Sequence, residues 1–131
     1  MMTGQITPEY HAMLRVFVLG GQEGRVELDA LVDTGFNGYL TLPGDVIRQL
    51  GLVSAGHRRA QLADGHAVVL EIFLARLLWH ARPREILVLQ ADGGALVGMA
   101  LLAGSHVTLE VKAGGTLTIQ EFTTNGTGST P

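Results

Sequence analysis

The chain has 131 residues, of which 47% are hydrophobic and 16% charged, so it can bury a core as one domain and is not globally disordered. Its net charge of −3 and the absence of a long basic run argue against sequence-independent nucleic-acid binding. It contains no Cys, which excludes disulfides, thiolate catalysis and cysteine metal sites. We expect no membrane partner and a cytoplasmic location, because Met1 to Tyr10 is polar and the most apolar stretch, Ala67 to Trp79, is short and interrupted by charges.

The first half of the chain predicts strands followed by one helix. Residues 1–12 are predicted to form a flexible N-terminal segment. Strands are expected at Leu14 to Leu19, at Arg25 to Val32, where apolar and acidic residues alternate, and at Leu40 to Leu42. A helix is expected from Pro43 to Leu50, because Pro favours the entry of a helix and Gly follows its end.

The middle of the chain predicts a hairpin. Ala60 to Ala63 and Ala67 to Leu78 flank the dipeptide Asp64-Gly65, which tolerates the positive φ of a tight turn. The basic residues His57 to Arg59 that precede the hairpin are expected to form a solvated loop.

The last third predicts further strands and a short helix. A strand is expected at Glu85 to Leu89, a helical turn at Met99 to Ala103, and a hairpin at Val107 to Ile119 with its turn at Gly114-Gly115. Residues 122–131 are predicted to be a flexible tail. The domain itself is therefore placed at residues 13–121.

The segment most suited to chemistry is the sequence Asp33-Thr34-Gly35. An apolar strand runs directly into it, and a strand end is a rigid place from which to deliver a side chain to a cleft. The Thr34 hydroxyl can hydrogen-bond locally, and Gly35 allows another backbone to approach closely. A simple turn that leaves a sheet would have the same composition, so this motif alone does not decide between catalysis and structure.

Three features in this order resemble the retroviral-type (retropepsin-like) aspartic proteases, especially their single-domain microbial members. These are the strand ending in Asp33-Thr34-Gly35, the hairpin at Asp64-Gly65, and Leu96-Val97-Gly98 before a short helix. The resemblance spans about residues 16 to 119. It implies a mainly β fold, a small closed barrel-like acid-protease subunit with a hairpin flap and one or two short helices. It also implies an aspartic endopeptidase that acts on peptide or protein substrates.

The chemistry of such an enzyme requires two carboxylates on one water, one acting as base and one supplying a proton. The chain has one Asp-Thr-Gly and is too short for a two-lobed enzyme. A two-fold symmetric homodimer would bring Asp33 together with its copy. This chemistry requires neither a cofactor nor a metal.

The resemblance implies the site residues one by one. The catalytic group would be Asp33, Thr34 and Gly35. The substrate-binding residues would be Phe36, Asn37, Gly38, Ala63, Asp64, Gly65, His66, Val97 and Gly98.

The residues around this site depart from the viral pattern. Phe36 stands where viral members usually have Ala or Ser, Asn37 and Gly38 replace acidic residues, and Met99 replaces an Arg. We therefore expect the subsites to prefer apolar side chains of the substrate, with Phe36 forming one wall of a subsite. Two rival interpretations are a dimeric peptide-binding module of the same fold with little or no turnover, and a structural dimerisation domain in which Asp33 caps a turn.

Overall fold

The computed structural model describes residues 1–21 and 24–123, and these residues form a mainly β fold with two short helices. The helices are α1 (Gly44–Leu50) and α2 (Met99–Leu102). The strands are β1 (Met2–Ile6), β2 (Ala12–Leu19), β3 (Arg25–Val32), β4 (Leu40–Leu42), β5 (Val53–Gln61), β6 (Ala67–Trp79), β7 (Arg82–Gln90), β8 (Ala95–Val97), β9 (Ser105–Leu109) and β10 (Thr116–Glu121).

Six of the strands close into a barrel in the order β6, β7, β4, β8, β3, β2, and β2 then pairs with β6. Most pairs are antiparallel, but β3 pairs with β8 and β4 with β7 in parallel. Strand β5 extends the sheet beyond β6, and β1, β10 and β9 extend it beyond β2. This architecture confirms the predicted small closed barrel.

The alternation in β3 explains how the barrel acquires its core. Ala30 is fully buried, whereas Glu27 and Asp29 on the opposite face are exposed and pair with Arg15. Trp79 is also a core residue, only 4% exposed. Burial of such side chains is the main favourable contribution to folding, about 1.5–3 kcal/mol for each large one. The largest wholly buried side chains are Leu40, Leu42, Leu77, Leu101, Leu117, Ile119, Val16, Val18, Val88 and Val97.

Helix α1 has the ends that its sequence predicts. Pro43 precedes it in an extended conformation, and Gly51 ends it with a φ of 61°, a left-handed conformation that Gly adopts without strain. Ile47 and Leu50 bury one face of the helix. Within the two described ranges, no helix combines the length and apolar character needed to cross a membrane.

Two sequence predictions about strands are wrong. Met2–Ile6 is strand β1, which pairs with β10 and β2, so this part of the N-terminal segment is not loose. Strand β5 begins at Val53 and includes His57 to Arg59, which are exposed but not in a loop. Both segments mix strand formers with Gly and polar residues, so local propensity does not decide their structure and pairing with neighbouring strands does.

The end of the chain is described only as far as Thr123. Phe122 donates a backbone hydrogen bond to the Gly104 carbonyl over 2.9 Å, and its ring meets His106 edge-on at 4.4 Å. The rest of the predicted tail, residues 124–131, lies outside the described residues.

Candidate active site

The loop that carries Asp33 is placed by three strands. It runs from the end of β3 to the start of β4, and β8 lies between these two strands. Strand β8 pairs in parallel with β3 through Val32 and Val97, and antiparallel with β4 through Leu40 and Val97. The segment Ala95 to Gly98 therefore lies beneath the Asp33 loop and supports it.

Asp33 is fixed by its own backbone and by its neighbour. Its N–H donates to the Val97 carbonyl over 2.9 Å, and its carboxylate oxygen Oδ1 accepts a 2.9 Å hydrogen bond from the Gly35 N–H. The side chain is half-buried, whereas Thr34 and Gly35 are exposed. A Cβ at position 35 would lie 3.2 Å from Oδ1, which explains why Gly suits this place. The carboxylate is thus oriented beside an open surface.

Three further backbone hydrogen bonds fasten the loop to the start of α2. The N–H of Gly98 donates to Tyr39 over 3.0 Å. The N–H of Met99 donates to Phe36 over 2.7 Å, and the N–H of Ala100 donates to Gly38 over 3.1 Å. These bonds satisfy the free N–H groups of the first turn of α2 with the carbonyls of the Asp33 loop. The loop and α2 therefore form one unit.

Phe36 fills the space left by two glycines. A Cβ at Gly38 would lie 2.5 Å from Phe36 Cζ, and one at Gly98 would lie 2.5 Å from Phe36 Cδ2 and would also clash with the Gly38 carbonyl. Gly98 is buried and Phe36 is half-buried. The ring is thus a support of the loop, and its predicted second role as a subsite wall stays a prediction.

Two supporting residues refine the sequence interpretation. Val97 is fully buried, which favours packing beneath the loop over contact between its side chain and a substrate. Thr41 is 5% exposed, and its Oγ1 accepts a 2.9 Å hydrogen bond from the Leu96 N–H. Sequence reasoning missed Thr41; the signal was a polar residue between two apolar ones in a strand with no exposed face.

The predicted hairpin is present, with β5 and β6 as its arms and residues 62–66 as its tip. The Leu62 N–H donates to the His66 carbonyl over 2.7 Å, and the Gly65 N–H donates to Leu62 over 3.0 Å. Gly65 has a φ of 91°, which a residue with a side chain rarely adopts. Ala63, Asp64, Gly65 and His66 are all exposed, and their hydrogen bonds among the described residues stay within the hairpin.

A contact between the His66 and Asp64 side chains organises the hairpin tip. His66 Nδ1 lies 3.0 Å from Asp64 Oδ2, and the His66 N–H donates to Asp64 Oδ1 over 2.9 Å. The side-chain hydrogen bond from His66 lowers the pKa of Asp64 below its usual value, and the backbone bond adds to this effect. The negative charge at the tip is therefore held in a local contact and does not depend on the barrel.

A pocket of about 170 Å³ lies between the two hairpin arms and the second half of the Asp33 loop. The loop contributes Asn37, Gly38 and Tyr39, the hairpin contributes Arg58 and Ile72, and Ala100 of α2 closes one side. Leu87 and Leu89 of β7 complete the lining. The lining of this pocket thus combines predicted substrate-binding residues with residues of the hairpin arms. One of the latter is Arg58, for which the sequence predicted no role in the site.

The structure therefore gathers the predicted residues into two groups. Residues 33 to 38 and 97 to 98 form one hydrogen-bonded unit, and residues 63 to 66 form the tip of the hairpin. Among the residues that the structure describes, no three His, Asp or Glu side chains lie close enough together to hold a metal ion.

Comparison with solved structures identifies the fold of this protein. No family model matches the sequence, and no curated protein matches it. The structure is similar to the crystal structure of a retropepsin-like aspartic protease from Rickettsia conorii, with a TM-score of 0.59. The match covers 93% of this chain and 91% of that one, at 13% sequence identity. The chain thus has the retropepsin-like fold that its motifs predict.

Proposed function

We propose that this protein is a homodimeric aspartic endopeptidase in which Asp33 of each subunit activates one water molecule. The observation that carries the proposal is the position of Asp33 within a retropepsin-like fold. It stands at the end of a barrel strand, is oriented by the Gly35 N–H, and is fastened through Val97 to the strand beneath it. The loop that holds it also makes five backbone hydrogen bonds, including one from the Phe36 N–H to the Asp33 carbonyl over 3.2 Å, and these keep the carboxylate in one position.

The need for a dimer follows from the number of carboxylates. The chain has one Asp-Thr-Gly, and peptide hydrolysis by paired carboxylates requires two. The loop around Asp33 is open, because Thr34 and Gly35 are exposed, and Met99 beside it is 45% exposed. A second copy related by a two-fold axis would complete the site and cover this surface.

The reaction then needs only the two carboxylates and water. Two like charges at contact distance cannot both be ionised, so the pair holds one proton between them. The ionised carboxylate removes a proton from water as the water oxygen attacks the peptide carbonyl carbon, and the protonated one gives its proton to the carbonyl oxygen. The carboxyl that took the proton from water then gives it to the amide nitrogen, and the C–N bond breaks to release the amine. The other carboxylate takes a proton from one hydroxyl of the intermediate, so the second product is a carboxylic acid and the pair again holds one proton.

The hairpin is proposed to be the flap of this enzyme. Its tip makes its hydrogen bonds within itself, and its two long arms join it to the barrel. An extended peptide can therefore be covered when the arms bend, without disturbing the barrel core. We propose that its substrates are peptides or proteins and that its partner is a second copy of the chain.

The proposal is tested by assaying cleavage of an unbiased peptide library across a range of protein concentrations. Cleavage per subunit should rise with concentration and reach a plateau, in parallel with the monomer-to-dimer transition seen by sedimentation. Cleavage by a species that sediments only as a monomer would contradict the shared site. A well-formed dimer that binds peptides without cleaving them would instead support the binding-module interpretation.

A further inference from the structure

The pocket beside the Asp33 loop has an apolar interior and one charged lining residue. Its apolar surface comes from Ile72, Leu87, Leu89 and Ala100, and among the described residues that line it only Arg58 carries a formal charge. Its volume of about 170 Å³ suits one side chain of a peptide and is below the roughly 300–1,000 Å³ of a site for a drug-sized ligand.

Arg58 has no carboxylate of its own within the described residues. The ion pairs found there involve Arg15, Arg25, His66 and Arg82, and none involves Arg58. A guanidinium without a protein partner at the rim of an apolar pocket offers several donors to an incoming carboxylate.

A second cation reinforces the positive charge of this region. The guanidinium of Arg84 lies over the ring of Tyr39, 5.6 Å from its centroid, and Tyr39 lines the pocket. Within the part of the chain that the structure describes, no Asp or Glu lines the pocket, and Asn37 presents an uncharged amide. The electrostatics around the pocket therefore favour an anion and disfavour a basic side chain.

We propose that Arg58 makes this pocket a specificity subsite for a glutamate side chain of the substrate. The methylene groups of the glutamate would lie against Ile72, Leu87 and Leu89, and its carboxylate would accept hydrogen bonds from Arg58. The location suits a peptide, because the pocket lies between the two flap arms and Asn37 to Tyr39, which form the second half of the Asp33 loop. This inference rests on the proposed function and adds a substrate class that the predicted apolar subsites did not include.

The strand that carries Arg58 also provides a matched control. Arg59 is the next residue of β5, is equally exposed and carries the same charge, but it does not line the pocket. Successive side chains of a strand point to opposite faces, so Arg59→Gln removes one positive charge from the hairpin without altering the pocket.

The test is a peptide series in which each position around a cleaved bond is in turn Glu, Gln, Leu or Lys. We expect kcat/KM for the parent protein to be about tenfold higher with Glu than with Lys at one position. Arg58→Gln should remove this preference, Arg58→Glu should reverse it, and Arg59→Gln should retain it. A parent protein with no Glu preference at any position, or equal losses in the Arg58 and Arg59 variants, would overturn the proposal.

A binding measurement separates this proposal from the proposed protease activity. Fluorescence anisotropy with Asp33→Asn protein can compare labelled Glu and Gln peptides of the series. Tighter binding of the Glu peptide that Arg58→Gln abolishes supports the subsite even if no peptide is cleaved. Equal affinity for both peptides overturns it even if cleavage is observed.

Discussion

The Asp33 loop and the hairpin tip are both polar turns that follow a strand, but they are held in different ways. The backbone of the Asp33 loop is hydrogen-bonded to Val97, Gly98, Met99 and Ala100. The Phe36 ring packs against Gly38 of the loop and against Gly98. The hairpin tip at residues 62–66 is exposed, and its hydrogen bonds stay within the hairpin. The first arrangement suits a group that must keep its position, and the second suits one that must move over a substrate.

Substitution of one carboxylate in each region should give the largest contrast. Asp33→Asn keeps the shape of the side chain but cannot cycle a proton, so we expect cleavage to fall roughly 10³-fold or more. Asp64→Asn, the same change in the hairpin tip, should lower cleavage only a few-fold. Steady-state kinetics on one peptide check both, with circular dichroism to show that both variants are folded. Equal losses would remove the distinction between a catalytic loop and a cover.

An added methyl group should show, through the stability of the protein, how closely the Asp33 loop is packed. Gly98→Ala places a Cβ against the Gly38 carbonyl and the Phe36 ring, so we expect a loss of about 1–3 kcal/mol in the free energy of unfolding. Gly94→Ala is the control, because a Cβ there meets nothing within 4 Å. Denaturant unfolding gives both values. A Gly98→Ala protein as stable as the control would mean that the loop is not packed as described.

Amide exchange should distinguish the regions without any mutation. The N–H groups of Asp33, Gly98 and Met99 are hydrogen-bonded inside the loop unit and should exchange slowly. The N–H of Gly65 should exchange quickly in the free protein and slowly when a peptide-like inhibitor is bound. Hydrogen exchange resolved by NMR provides the rates. The same protection of Gly65 in both states would argue against a mobile flap.

The smallest expected effect is the titration of Asp64. Its pKa is lowered in the folded protein by His66, so the stability that this contact adds is present above the unfolded value near 3.8. It is lost as the pH falls through the lower, folded value. His66→Ala should therefore raise the Asp64 midpoint measured by carboxyl chemical shifts. If the Asp64 midpoint is unchanged in this variant, the contact between the His66 and Asp64 side chains does not form.

The sequence predicted the barrel strands in which apolar residues alternate or form a long run, but not the three-residue strand β8, which was interpreted only as an apolar motif before a helix. Arg25–Val32 and Leu40–Leu42 have the predicted bounds, and the motif at Val97-Gly98 lies beside Asp33 as the resemblance implied. Strand β1 and most of β5 were missed, because polar residues such as Gln5 and Arg59 become strand only through pairing with β10 and β6. The sequence also provided no reason to place Arg58 in the site, because only the fold brings it to the same pocket as Asn37.

The central claim is that one active site needs Asp33 from both subunits, and mixing subunits tests it most directly. Parent and Asp33→Asn chains are co-refolded at fixed total concentration, and cleavage per parent chain is followed as the fraction of parent falls. If both carboxylates are required, mixed dimers are inactive, and an equal mixture should retain about half of the activity per parent chain. Activity per parent chain that stays constant at every ratio would contradict the shared site.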